Sequence, residues 1–230
     1  MEQRAPALAG LTDFPVFAGA DYAQATALAM LAHKRQGNPR LARELAAVLN
    51  RVLWSAAAFQ AVEGRFPEPV LLIPVPGTGA SFRRRGFDPL GLLLGCSRRT
   101  GLPPGFTVST LLAVRSGPER LLEMAFSLLT GAPVPRWSGF GSGQKGLGAA
   151  ARRRRLHGSM RLALVPRGMG AGKTLAGMVC LLVDDVLTTG ATLAEAARVL
   201  SGEGALVRGA VVVAATRSPG TSQEKYMNKG

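Results

Sequence analysis

Residues 182–193 read Leu-Val-Asp-Asp-Val-Leu-Thr-Thr-Gly-Ala-Thr-Leu. Asp184 and Asp185 directly follow an apolar run, and Thr188, Thr189, Gly190, Ala191 and Thr192 form a small, hydroxyl-rich turn after them. Adjacent carboxylates can accept hydrogen bonds from sugar hydroxyls or place hydrated Mg²⁺, a hard cation that prefers oxygen ligands. Small residues at a helix start leave its first amides open. Those amides, the neighbouring hydroxyls and the helix dipole together attract an anion such as phosphate. A sugar phosphate fits between the two halves. Each half also has a plain structural reading, the acids capping a turn and Thr-Thr-Gly capping a helix. Both halves in register on one strand–loop–helix favour a site.

Such a site needs a buried strand, a sheet around it and a helix behind it. Residues 179–183 are the most strand-like run of the chain; 193–200 predict a helix core, and 209–216 another buried strand. Residues 70–73 predict a buried strand before a loop at 76–79, and 87–96 the start of a helix. Residues 107–112 and 162–165 read as strands, 121–129 and 149–160 as helices. Residues 21–65 have helical spacing, interrupted by the turn Gly37-Asn38-Pro39, with Trp54, Phe59 and Phe66 expected in its core. Residues 1–20 read as an irregular lead-in and 131–148, rich in Gly, Pro and Ser, as a mobile loop. The order strand, loop, helix, strand is that of a parallel α/β unit. The expected organisation is an amino-terminal helical extension over 1–66 packed on the core, a main domain over 67–217 and a flexible tail over 218–230.

The 230 residues suit one domain with a modest extension, and 47% hydrophobic content excludes global disorder. The longest apolar stretches, 179–183 and 210–215, fall far short of the ~20 residues that span a bilayer, so no membrane insertion is expected. The first residues show no secretory pattern. Arginine supplies 23 of 28 basic side chains, against 14 acidic ones, for a net charge of +14. No acid lies between Glu123 and Asp184, whereas nine basic residues do, Arg152, Arg153, Arg154 and Arg155 among them. That field attracts polyanions, although an arginine bias equally follows from codon usage. Cys96, Cys180, His33 and His157 lack zinc-cluster spacing, and nothing suggests a disulfide framework, so a reducing cytoplasm is expected. Residues 168–174 end like an ATP-binding P-loop. Arg167 stands where that pattern needs its first glycine, and only four residues separate Thr174 from the next strand, so this reading is rejected.

Residues 182–193 resemble the phosphoribosyl pyrophosphate (PRPP) signature of type I phosphoribosyltransferases. Over roughly 22–216 the chain resembles the ComF-like branch of that family, associated with competence and DNA uptake. Lys34, Gly37, Leu41, Ala42 and Leu45 are similar to the branch's amino-terminal helical motif. Val75-Pro76 followed by Arg83, Arg85, Gly86 and Phe87 resembles its Pro-Val-Pro…Arg-Gly-Phe region, and Gln144, Leu147 and Arg152 match its Gln…Leu…Arg spacing. Where the family has Asn-Gln, this chain has Asp88-Pro89; Ser81 and Arg155 replace an expected Arg and Asn. Members often begin with a cysteine-rich zinc module, which this sequence lacks, so no zinc is expected.

The resemblance implies an α/β fold: a central, mostly parallel sheet flanked by helices, with an amino-terminal helical segment and a flexible hood loop. It implies that Asp184 and Asp185 hold the ribose hydroxyls and help place Mg²⁺ through water, and that Thr188, Thr189, Gly190, Ala191 and Thr192 grip the 5′-phosphate. Val75, Pro76 and Gly77 would sit at the pyrophosphate loop. Arg83 and Arg85 would contact pyrophosphate or remain solvated surface. Residues 139–155, with Gln144, Leu147, Arg152 and Arg155, would form the hood. The implied activity is Mg²⁺-dependent transfer of phosphoribose from PRPP to an unidentified acceptor, with pyrophosphate release. The alternative is a catalytically weak or inactive member serving DNA uptake or regulation by binding single-stranded DNA or competence proteins. Type I relatives are commonly dimers, so a homodimer is also implied.

Overall fold

The computed structural model describes residues 14–62, 69–77, 79–116, 119, 156–163 and 175–216. Five strands form one wholly parallel sheet: β1 (Val16–Asp21), β2 (Val70–Pro74), β3 (Phe106–Val108), β6 (Val179–Leu187) and β7 (Leu206–Ala215), in the order β1-β7-β6-β2-β3. A small antiparallel ribbon, β4 (Leu112–Val114) with β5 (Met160–Leu162), stands apart. The helices are α1 (Gln24–Gln36), α2 (Pro39–Val62), α3 (Gly79–Arg85), α4 (Pro89–Thr100) and α5 (Ala191–Gly202).

The sheet is buried on both faces, so its central strands are nearly continuous apolar runs. Side chains alternate between two cores. Val70, Leu72, Val179, Leu181, Val183, Val211 and Val213 join one core with α1, α2 and α4. Ile73, Cys180, Leu182, Ala210 and Val212 join the other with α5 and the β4–β5 ribbon. Helix α2 earns its place in the first core through Leu45, Leu49, Val52, Leu53 and Ala56, spaced at three and four residues along one stripe. Burial pushes the Cys180 thiol up to about 11, as expected of a small side chain packed in an apolar interior. The α1–α2 turn forms as its residue types dictate. Gly37 closes α1 in the left-handed region at φ 61, and the Asn38 side chain accepts from the Arg40 amide.

Several elements differ from expectation. Residues 16–21, expected to be irregular, form β1, which pairs along β7 at the sheet edge. Residues 79–85, expected to begin in a loop, form α3. The strand expected over 107–112 is two separate elements, β3 and β4. The strand at 179–183 runs on to Leu187, so Asp184 and Asp185 lie within β6 and not beyond it. Trp54 is half exposed, on the face of α2 away from the core stripe. The expected helix at 121–129, Phe66, the P-loop-like stretch 168–174 and the tail all lie outside the described residues; of the helix expected over 149–160, residues 149–155 also lie outside them, whereas its end is a turn that leads into β5 at Met160. Among the described residues, no helix is long and apolar enough to cross a membrane.

The topology places the site. From β2 the chain moves outward to β3; from β6 it moves the other way, to β7. Connections leaving two neighbouring parallel strands in opposite directions open a crevice at their carboxyl ends, the usual ligand position in such sheets. The crevice lies between β2 and β6.

Candidate active site

Strand β6 outruns its neighbour β2. The last β2 pairing joins Pro74 to Val183, and the Val75 amide donates to the Val183 carbonyl at 2.8 Å. Beyond that point β6 pairs only with β7, which leaves one edge of Asp184, Asp185 and Val186 facing the crevice. A cavity of about 600 Å³ opens there. Its walls include Asp184 and Asp185 from β6, Thr188 and Thr192 from the following turn and helix, Val75, Pro76 and Gly77 after β2, and Arg85 from α3. An adjoining cavity of about 270 Å³ shares Val75–Gly77 and Arg85 and adds Phe82 and Phe87.

The turn into α5 has the form of an anion cradle. Gly190 is its N-cap at φ 68, a left-handed conformation costly for a side-chain-bearing residue, and no side chain caps the helix. The first-turn amides of a helix have no acceptor within it, so here they are available to a ligand. Of the predicted phosphate-gripping residues, Thr188 and Thr192 line the cavity directly; Gly190 and Ala191 are buried and shape the backbone, and Thr189 is half-buried outside the lining.

The first of the two carboxylates sits in a strongly perturbing environment. Burial and, second, repulsion from Asp185 push the Asp184 carboxyl up to about 7, while the Asp185 amide, which donates to Asp184 Oδ1 at 2.8 Å, and Lys34 oppose that shift. Lys34 of α1 reaches across to Asp185, Nζ to Oδ2, at 2.7 Å. Among the described residues no three His, Cys, Asp or Glu side chains group to hold a metal. Two carboxylates do fit the way Mg²⁺ is commonly held, by one or two acids completed by water and substrate oxygens.

The structure brings some of the expected site residues to this cavity and leaves others away from it. Arg83 is exposed and outside the cavity lining, whereas Arg85 lines it, with a buried Nε that has no protein partner. The hood residues Gln144, Leu147, Arg152 and Arg155 lie outside the described residues. Asp88-Pro89, the departure from the family pattern, has a structural role. The Asp88 carboxylate accepts from the Leu90 amide as the N-cap of α4, and Pro89 follows at the first helical position. Pro89 also offers its carbonyl to the buried His33 ring, Nε2 to O at 3.0 Å, which ties α1 to the cavity rim. Tyr22, Ser159 and Met160 also line the cavity. Buried Glu195 of α5 holds the last of these by accepting from the Met160 amide and pairing with Arg198. No spacing rule reveals such contacts; only the phase of Glu195 on the inner face of α5 hints at one.

An α/β fold with a mostly parallel sheet flanked by helices is consistent with a type I phosphoribosyltransferase-like architecture. The family model described as phosphoribosyl transferase domain matches residues 151–229, which include β6, the Asp184–Thr192 segment, α5 and β7. Among solved structures, the hypoxanthine phosphoribosyltransferase of Trypanosoma cruzi, a lysine-to-arginine mutant in a ternary substrates complex, aligns at 17% identity and a TM-score of 0.38, covering 79% of this chain and 75% of that one. A glutamic acid mutant from an analysis of an invariant aspartic acid in HPRTs aligns at 16% identity and a TM-score of 0.37, with 79% and 75% covered. No curated protein matches the chain.

Proposed function

We propose that this protein binds PRPP with Mg²⁺ in the β2–β6 crevice and transfers its phosphoribosyl group to an acceptor, releasing pyrophosphate, as a ComF-like phosphoribosyltransferase. One observation carries the reading: a paired carboxylate, an uncapped helix start and an arginine with an unpartnered Nε line the same cavity. These are the three recognitions that a phosphorylated sugar carrying a diphosphate requires. In such a transfer positive charge grows at the ribose C1 while pyrophosphate departs, so the protein's task is to orient the sugar and stabilise the leaving anion. Asp184 and Asp185 would accept from the ribose hydroxyls and hold Mg²⁺ through water. The amides and hydroxyls of 188–192 would hold the 5′-phosphate. Val75–Gly77 and Arg85 would face the pyrophosphate. Mg²⁺, when bound, would neutralise charge on the departing oxygens.

Calorimetric titration of PRPP with Mg²⁺ tests binding. Replacing both acids, Asp184→Asn with Asp185→Asn, should weaken it by about 100-fold or more, since two charge-assisted contacts to the sugar are lost. Unchanged affinity in the folded variant would refute the assignment. An acceptor screen read by pyrophosphate release then tests transfer.

The charge distribution favours a second reading, in which the same fold binds nucleic acid. No acid offsets the nine basic residues between Glu123 and Asp184. Reversing the charges of Arg152–Arg155 should reduce both DNA affinity and its salt slope. If neither changes, that run is not the contact.

A further inference from the structure

Lys34 is an unusual choice of side chain for this chain. Arginine supplies 23 of its 28 basic residues, and Lys34 is the first of only five lysines, the next being Lys145. It projects from the last turn of α1, an element remote in sequence from β6, and its ammonium meets the Asp185 carboxylate at 2.7 Å with both side chains largely shielded from water, 32% and 19% exposed. An ammonium is a compact point charge with three donors, whereas a guanidinium is a broad planar fork. At this position the ammonium stands on the cavity wall, at the carboxylate that faces the crevice. Among the described residues, the other charged groups lining the cavity are Asp184, Arg85 and Asp88. Among the described residues, Lys34 is thus the cation paired with two adjacent acids that would otherwise attract a divalent metal on their own.

We propose that Lys34 is the resident counter-cation of the carboxylate pair and that a divalent cation reaches Asp185 only by displacing it. The inference rests on the assignment of the pair to sugar and metal made above, and it adds an order of events. Metal binds poorly to the empty protein and enters with the sugar diphosphate, whose own oxygens complete the coordination and compensate for the lost ion pair. Lys34 acts here as a positioning residue that keeps Asp185 turned into the crevice and free of metal until substrate arrives.

Mn²⁺ serves as the probe, with free ion counted by electron paramagnetic resonance on the full chain, with and without PRPP. The wild type should bind Mn²⁺ weakly alone and markedly more tightly with PRPP. Lys34→Met should tighten Mn²⁺ binding without PRPP by about tenfold, because a competing charge beside the acid is removed. Lys34→Arg, which retains a cation, should stay near the wild type. If Lys34→Met does not fold, Lys34→Gln removes the charge while keeping a donor and should give the same tightening. An unchanged or weaker Mn²⁺ affinity in a folded, charge-removed variant overturns the proposal. Failure of the parent reading looks different: the wild type then shows no PRPP binding at any Mg²⁺ concentration, whatever Mn²⁺ does in the variants.

Discussion

The two sides of the crevice are built on different principles. On the β6 side the recognition elements fall within nine residues, Asp184 to Thr192, and the turn runs straight from strand into helix. Its proposed anion contacts are backbone amides. On the β2 side the lining residues are spread over a loop, a short helix and a cap: Val75, Pro76 and Gly77, then Ser81 and Arg85, then Asp88. Its proposed anion contact is one side chain, Arg85, which lines the cavity, while the neighbouring Arg83 and Arg84 are exposed. A backbone cradle tolerates many side-chain changes but no loss of its turn conformation. A side-chain contact tolerates changes of neighbours but not of its own head group.

Replacing the turn glycine tests the backbone side and carries the largest effect expected from changing either side alone. Gly190→Val forces a β-branched residue into the left-handed region, at a cost of about 1–3 kcal/mol. The first-turn amides must then reorient or the protein must lose that stability. PRPP affinity should fall by more than about tenfold, measured by calorimetry beside a thermal melt. If the variant binds PRPP as the wild type does, the phosphate is not held by this turn.

A paired substitution sharpens the comparison on the other side. Arg85→Met should weaken PRPP by about tenfold, the loss of a charge-assisted contact, and should weaken free pyrophosphate as well. Arg83→Met, two residues away and exposed, should leave both unchanged. Equal effects would mean that the whole basic turn attracts the ligand diffusely and that no single arginine is a contact.

The same difference decides what was legible from sequence. The strand, turn and helix around Asp184–Thr192 could be read because the signal is local: an apolar strand, two acids and small hydroxyl residues follow one another directly in the chain. Helix α3 was missed because Gly-Ala-Ser-Phe-Arg-Arg-Arg has no apolar periodicity, so its form depends on its surroundings. Strand β1 was missed because buried Val16 and Phe17 are followed by Ala, Gly, Ala and Asp, and its pairing partner β7 lies at the far end of the chain. Trp54 was misplaced because aromatic size suggests burial, whereas its phase on α2 sets it off the stripe made by Leu49, Val52, Leu53 and Ala56. Lys34 appeared only as one position of a helical motif. Its meeting with Asp185 is tertiary and has no local signature.

The β4–β5 ribbon provides the smallest expected effect and a control for both sides. It contributes Val114 and Met160 to the cavity wall, yet none of its charged groups lines the cavity. Its second strand is tied to the chain beyond β4 by a partly exposed ion pair: Arg161 Nη2 donates to Glu119 Oε1 at 2.9 Å, and Glu119 also accepts from the Ser116 amide at 2.8 Å. The Arg161 hydrogen bond, then the Ser116 amide, lower the Glu119 carboxyl to about 2 from an ordinary 4.5. A carboxyl with a depressed folded pKa stabilises the protein above its unfolded pKa, and that contribution fades as the pH falls from about 4.5 to about 2. Glu119→Gln should therefore melt slightly below the wild type at neutral pH, with the gap closing across that acid window. High salt should narrow the gap at neutral pH, since the pair is partly open to solvent. PRPP affinity should not change. A loss of affinity without a matching loss of stability would extend ligand recognition to the ribbon, and the division between a backbone side and a side-chain side would then describe only part of the site.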